Sequence, residues 1–238
     1  MSDTRESRQH HRFRLYTIDI SDNIGIMQES IALIVDIVGS RGLDDRPRAQ
    51  HDVRSTFAEA HRHFEPEKAL WATVGDEFQA RYGDVRAALG ATALVRLTLP
   101  ASVDCRFGLG QGNFHDVESR QDGEPIEDGS AWWRAREAIN AAHKYADHGH
   151  PYLRTWAVTE DPRLAGVLNA LLLQRDHIID RMKARERRLA AGILQGRTQK
   201  EIAAGEGITQ SAISQSLQRS GATALVAGLD LLGEGVWP

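Results

Sequence analysis

The residues of this chain whose types and spacing could do chemistry fall into two groups, a set of carboxylates near the start and a polar, basic helical segment near the end. Asp36 closes the apolar run Ile31-Ala32-Leu33-Ile34-Val35, where a lone carboxylate is costly unless it is ionised beside a cation or hydrogen-bonded. Asp76 and Glu77 follow Gly75 between two β-prone runs. Two or three carboxylates at one point, with room for water and phosphate oxygens, is how Mg2+ or Mn2+ is held in phosphoryl-transfer sites. The same residues suit plainer roles, Asp36 as a strand-end cap and Asp76 as the turn residue of a hairpin. Spacing alone leaves both roles open.

In the second group, Arg185 to Arg219 has the pattern of a DNA-binding helix-turn-helix. Ala203, Gly207 and Ile213 supply the small residue where two helices cross, the turn, and the apolar lock on the second helix. Ile202, Ile208 and Leu217 are further core positions. Thr198-Gln199-Lys200-Glu201 is a capping box for the first helix, and Thr209 can cap the second. The outer face of the second helix then offers Gln210, Ser211, Ser214, Gln215 and Gln218 to the base edges or phosphates of double-stranded DNA. Arg197, Lys200 and Arg219 fall where backbone phosphates would lie. A helical bundle used only for packing or dimerisation fits the same pattern. Arg185, Arg187 and Arg188 read as a solvated face, and Glu206 is expected at the surface.

The elements that must position these groups follow from periodicity. Ile31–Val35 predicts a strand covered on both faces. Pro47 to Phe64 predicts a helix, with Val53, Phe57 and Ala60 at helical spacing. Ala69–Val74 and Glu77–Tyr82 flank Gly75-Asp76 as a hairpin. Asp84 caps a helix over Val85–Leu97, and Val103–Leu109 alternates as a strand. The order is β-α-β-β-α-β, the ferredoxin-like or palm unit of an α/β (α+β) domain. After a polar loop with Gly123 and Pro125 come a helix from Ser130 to Tyr145, a strand at Tyr152–Val158, and a long helix opening at Asp161-Pro162. The apolar Ala222–Leu232 helix could dock on the preceding helices or form a dimer seam. The expected division is a flexible arm at 1–28, the palm domain at 29–160, a linker helix at 161–184 and a helical domain at 185–238.

Composition sets the bounds. The chain of 238 residues has a net charge of −4, yet residues 175–219 hold nine Lys/Arg against five Asp/Glu, so positive density is confined to one segment. The single cysteine, Cys105, excludes an internal disulfide and a multi-cysteine zinc site. No apolar run approaches the roughly 18 residues needed to cross a bilayer, so a cytoplasmic protein with no membrane role is expected. His143, His148 and His150 read as exposed helix and loop histidines, and the Trp132-Trp133 pair as core.

Four segments occur in the order of the motifs of class III nucleotidyl cyclases. They are Val35-Asp36-Ile37-Val38-Gly39, Thr73-Val74-Gly75-Asp76-Glu77-Phe78, Arg106-Phe107-Gly108-Leu109-Gly110-Gln111-Gly112 and Ala131-Trp132-Trp133-Arg134-Ala135-Arg136. Gly75-Asp76-Glu77-Phe78 is also similar to the signature of diguanylate cyclases. With Asp128-Gly129-Ser130-Ala131 before Ala135-Arg136-Glu137-Ala138-Ile139, residues 31 to 140 resemble the SatD family. The cyclase resemblance implies that Asp36 and Asp76 bind metal, with the Ile37 carbonyl as a further ligand, and that Arg136 stabilises phosphate charge; Glu77, beside Asp76, is a candidate third carboxylate by position. Where it implies an asparagine the chain has Trp132, and no purine-selecting lysine occurs across Leu70–Ala72. An efficient cyclase is therefore not expected. The expectation is a transcription regulator whose palm senses a nucleotide or phosphorylated ligand with a divalent metal, acting as a homodimer. The alternatives are a metal-dependent nucleotidyl cyclase or related phosphoryl-transfer enzyme, and a non-catalytic interaction module.

Overall fold

The apolar run after Ser30 becomes the central strand β1, Ile31–Ile37, in a computed structural model that describes residues 30–73, 75–117 and 126–234. The expected arm at 1–28, Val74, the loop with Gly123 and Pro125, and the last four residues of the 185–238 segment lie outside the described residues. Leu33, Val35 and Ile37 face one core and Ala32 and Ile34 another, which is why the run is apolar without alternation. A short turn at Ser40–Gly42 leads to α1, Arg46–Ala60, where Asp45 accepts from Arg48 N at 2.9 Å. Then come β2 (Lys68–Ala72), β3 (Glu77–Tyr82), α2 (Val85–Thr98) and β4 (Cys105–Gln111). Asp84 caps α2 by accepting from Ala87 N at 2.8 Å.

The five-stranded sheet has the order β2-β3-β1-β4-β7, with the first four strands antiparallel and β7 (Thr155–Val158) parallel to β4. This is the interleaved order of a β-α-β-β-α-β unit, so the fold is α+β as expected. Strand β4 lies two residues later than the expected 103–109 strand. A two-stranded ribbon, β5 (His115–Val117) with β6 (Ile126–Asp128), was not foreseen from the sequence. Helix α3 (Ser130–Asp147) covers the sheet face opposite α1 and α2.

The seat of α3 is a stripe of glycines. A Cβ at Gly108 would collide with Ala135 O and the Ile139 backbone, one at Gly110 with Ala131 O and Ala135 N, and one at Gly112 with Ser130 Oγ. The helix backbone thus rests directly on the β4 backbone, closer than any side chain allows.

Residues 161–184, expected as a linker, fold largely as α4 (Pro162–Arg181) and close the sheet edge. Asn169 accepts from Ala157 N and donates to Ala157 O, both at 2.8 Å, taking the place of a further strand along β7. Asp176, fully buried, accepts from Arg154 N and Thr155 N at 2.7 Å and pairs with Arg96 of α2 at 2.9 Å and Arg175 at 3.0 Å. Burial alone would raise its pKa, but these two guanidinium groups and the backbone donors hold it low. Of the remaining helices α5 (Ala184–Leu194), α6 (Gln199–Glu206), α7 (Gln210–Ser220) and α8 (Ala222–Glu234), α5 and α8 pack on α2 and α8 also on α4, while α6 and α7 pack on α5, with α7 also against α8. Leu189, Ile213, Leu217, Leu225 and Leu229 belong to the same apolar cluster as Leu33 and Phe107. The helical segment therefore shares one core with the sheet, and α8 docks within this chain.

Gly110→Ala should destabilise the protein by about 3 kcal/mol through overpacking, read as a lower denaturation midpoint with unchanged slope. Asp176→Ala, which strands two buried guanidinium groups, should cost about 3–5 kcal/mol in the same measurement.

Candidate functional site

Strand register brings three charges into one row. Asp36 on β1 pairs with Glu77 on β3 and with Arg106 on β4, and directly paired residues share a face. Asp36 has the parity of Ala32 and Ile34, so the row faces α3. From α3, Arg136 gives both terminal nitrogens to the Glu77 carboxylate at 2.6 Å, a bidentate pair. Seven residues on, His143 Nε2 meets Arg106 Nη1 at 3.0 Å, and the same nitrogen of Arg106 is 3.8 Å from Asp36 Oδ2. Because arginine can only donate, a hydrogen bond at this contact has His143 Nε2 as its acceptor.

Asp76 turns toward α1. It is ion-paired with Arg46, accepts from Gln50 Nε2 at 3.0 Å and is also hydrogen-bonded by Ser40. Burial would raise its pKa, but Ser40, Arg46 and Gln50 together hold it below the ordinary carboxylate range. Asp36 is shifted the other way. Half-burial raises its pKa, against the attraction of Arg106 and His143, and repulsion from Glu77 and Asp76 adds to the rise. The carboxylates are thus close enough to oppose one another.

Asp36, Asp76 and the carbonyl of Ile37 are hard oxygen donors, the type that suits Mg2+ or Mn2+. Among the described residues no group of three or more His, Cys, Asp or Glu side chains could hold a metal by itself. A cation here would need water or ligand oxygens to complete its shell, as Mg2+ commonly does. The donor types suit such an ion, and in its place Arg46 and Arg136 supply positive charge to Asp76 and Glu77.

One turn before Arg136, Trp132 is 8% exposed and lies edge-on to Trp71 and Phe114, at ring distances of 5.7 and 5.5 Å. The tryptophan pair divides, since Trp133 is 67% exposed. Lys68 places its ammonium 4.4 Å from the Trp71 ring centre and 3.2 Å from Glu127. Trp132 therefore fills space beside the charged row.

In the C-terminal segment, α6 and α7 meet through Gly207, whose φ of 65° is left-handed. Thr198 and Glu201 cap each other's backbone N–H, and Thr209 accepts from Ala212 N at 3.2 Å. Ile202, Ala203, Ile213 and Leu217 are buried. Arg197, Lys200, Thr209, Gln210, Ser211, Gln215, Gln218 and Arg219 are exposed, and Ser214 is half-buried. Arg188 and Arg185 are not merely solvated, because Glu206 binds Arg188 at 3.2 Å and lies 3.7 Å from Arg185.

The residues that sequence reasoning missed are Arg46, Gln50, Arg106 and His143. Arg46 reaches Asp76 across 30 positions and Arg106 reaches His143 across 37, distances over which no periodic pattern operates. His143 lies on the exposed face of its helix, as its sequence position implies, and is also the partner of Arg106.

The sequence model of the SatD family matches residues 30–226. No curated protein matches the chain. Among solved structures, the adenylyl cyclase CyaB from P. aeruginosa is 13% identical with a TM-score of 0.38, covering 50% of this chain and 79% of its own. A bacterial light-regulated adenylyl cyclase is 16% identical with a TM-score of 0.38, covering 49% and 71%.

Asp36 makes a testable contribution to stability. Its folded pKa is raised above the ordinary 3.8, so ionising it disfavours the folded state. That penalty is absent below the ordinary carboxylate pKa and is complete only above the raised folded one. Without added metal, Asp36→Asn should melt higher than wild type at pH 7, with the gap closing as the pH falls toward 3.5. An equal or lower melting temperature at pH 7 would contradict the arrangement.

Proposed function

The chain belongs to the SatD family, and we propose that it is a ligand-responsive DNA-binding transcription regulator. In this reading the sheet takes up a nucleotide or other phosphorylated small molecule with a divalent cation, and α6 and α7 act as the helix-turn-helix. The observation that carries it is the interleaving of Asp36, Asp76 and Glu77 with Arg46, Arg106 and Arg136 at one end of the sheet, the row on the α3 side and the Asp76–Arg46 pair toward α1. Each acid in the set now has a guanidinium for a neighbour. A phosphoryl group arriving with a cation offers new partners to both sets, the acids turning to the metal and the arginines to the phosphate.

A cation held by Asp36, Asp76 and the Ile37 carbonyl would supply charge neutralisation for phosphate oxygens. Arg136 and Arg46 would exchange a carboxylate for a phosphate oxygen, and Gln50 would keep Asp76 in place. Support for the DNA half is the exposed face of α7, which carries amides, hydroxyls and Arg219 and no acidic residue. Support for coupling is α2, which touches β1, β3 and β4 on one side and α5 and α8 on the other. Two half-sites on DNA would call for a homodimer.

A second reading, a metal-dependent phosphoryl-transfer enzyme, is favoured by the placement of Arg136 beside Asp36 and Glu77. The buried Trp132 one turn earlier argues for binding over turnover, since it closes the neighbouring wall.

In a gel-shift assay, Gln215→Ala should weaken specific DNA binding by about 1–3 kcal/mol, and Arg219→Ala should lower the salt dependence by about one phosphate contact. Unchanged binding in both would refute the DNA assignment. Mg2+ with a nucleoside triphosphate should raise the wild-type melting temperature, and Asp76→Asn should abolish the rise. Nucleotide product that forms with Mn2+ in wild type and vanishes in Asp36→Asn would favour the enzyme instead.

A further inference from the structure

Arg136 is already neutralised by both oxygens of Glu77, whereas the arginine at the other end of the row is not. Arg106 is 9% exposed, and its Nε is buried without a hydrogen-bond partner. Its contact with Asp36 is long, at 3.8 Å, and its short contact is to a ring nitrogen of His143, which carries no negative charge. Asp104 is held by Arg154, and Asp147 lies 3.7 Å from the other face of His143. The way in is open, because the His143 side chain is 53% exposed and that of Asp36 35%.

We propose that Arg106, backed by His143, forms a second anion-binding subsite on the far side of Asp36 from Arg136, so that the site takes a ligand with linked phosphoryl groups. This rests on the phosphorylated-ligand reading above and adds to it the number of anionic groups and the residues that meet them. The row from Glu77 to Arg106 spans two inter-strand steps, roughly 10 Å at the backbone, which is more than one phosphoryl group bridges. A buried guanidinium gains most from an anion that can accept at Nε and the terminal nitrogen together, a geometry phosphate provides and a lone imidazole does not.

Isothermal titration with Mg2+ and either tripolyphosphate or orthophosphate tests the assignment. Wild type should bind tripolyphosphate more tightly than orthophosphate. Arg106→Gln should reduce that preference by roughly tenfold or more, the loss of one charge-assisted pair. His143→Glu should do the same by setting a carboxylate against Arg106, and because position 143 is exposed this variant remains informative if Arg106→Gln fails to fold. His148→Glu, at an exposed position outside the row, should keep the wild-type preference. If Arg106→Gln and His143→Glu both keep it while Asp76→Asn loses binding, the subsite is wrong and the broader site stands. A wild type without preference overturns the subsite, and one that binds neither ion overturns both.

Discussion

The contact on which the rest of the structure depends is the backbone-to-backbone seat of α3 on β4. It exists because positions 108, 110 and 112 carry no side chain on the face that α3 covers. Spacing a helix from a sheet by ordinary side chains leaves about 10 Å between them, a separation the glycines remove. The closeness lets Arg136 reach across to Glu77 on β3 and sets His143 against Arg106 on β4. The charged row belongs to the sheet, but its partners arrive through this one interface.

A second constraint works on the opposite edge. Asp176 draws Arg96, Arg175 and the backbone of β7 into a single buried knot, and Asn169 satisfies the outer edge of β7. An exposed strand edge is open to further pairing, and here amide and carboxylate side chains from α4 occupy it. The same helix borders α8 and so carries the C-terminal helices. A charge knot of this kind is weak evidence for net stability, since desolvation offsets much of the attraction, but removing one member is severe. It fixes where α4 lies, and with it the relation between the sheet and the helices that follow.

These two constraints show which features were legible in the chain. β1, the β2–β3 hairpin, α2 and the β-α-β-β-α-β order could be read because each rests on local periodicity and caps such as Asp84 and Thr198. Asp36 and Glu77 could be picked out as costly or turn-adjacent carboxylates. Their neighbours could not, since Arg46, Arg106 and His143 meet them only after the sheet has formed. Helix α4 looked like a linker because the partners of Asp176 and Asn169 lie on other elements. Trp132 and Trp133 look alike in sequence, and only the direction in which α3 lies separates a buried ring from an exposed one.

By itself the sequence determined the main elements apart from the β5–β6 ribbon, their order, the acids at the strand end and turn, and the capped α6–α7 pair, because these depend on interactions within a few residues. The tertiary structure alone decided that Glu77, Asp36 and Arg106 form one row, that Arg46, Arg136 and His143 attend it, and that the C-terminal helices share the core of the sheet. Those outcomes depend on strand register and on the close seating of α3, in which each contact joins residues that nothing in their local patterns links.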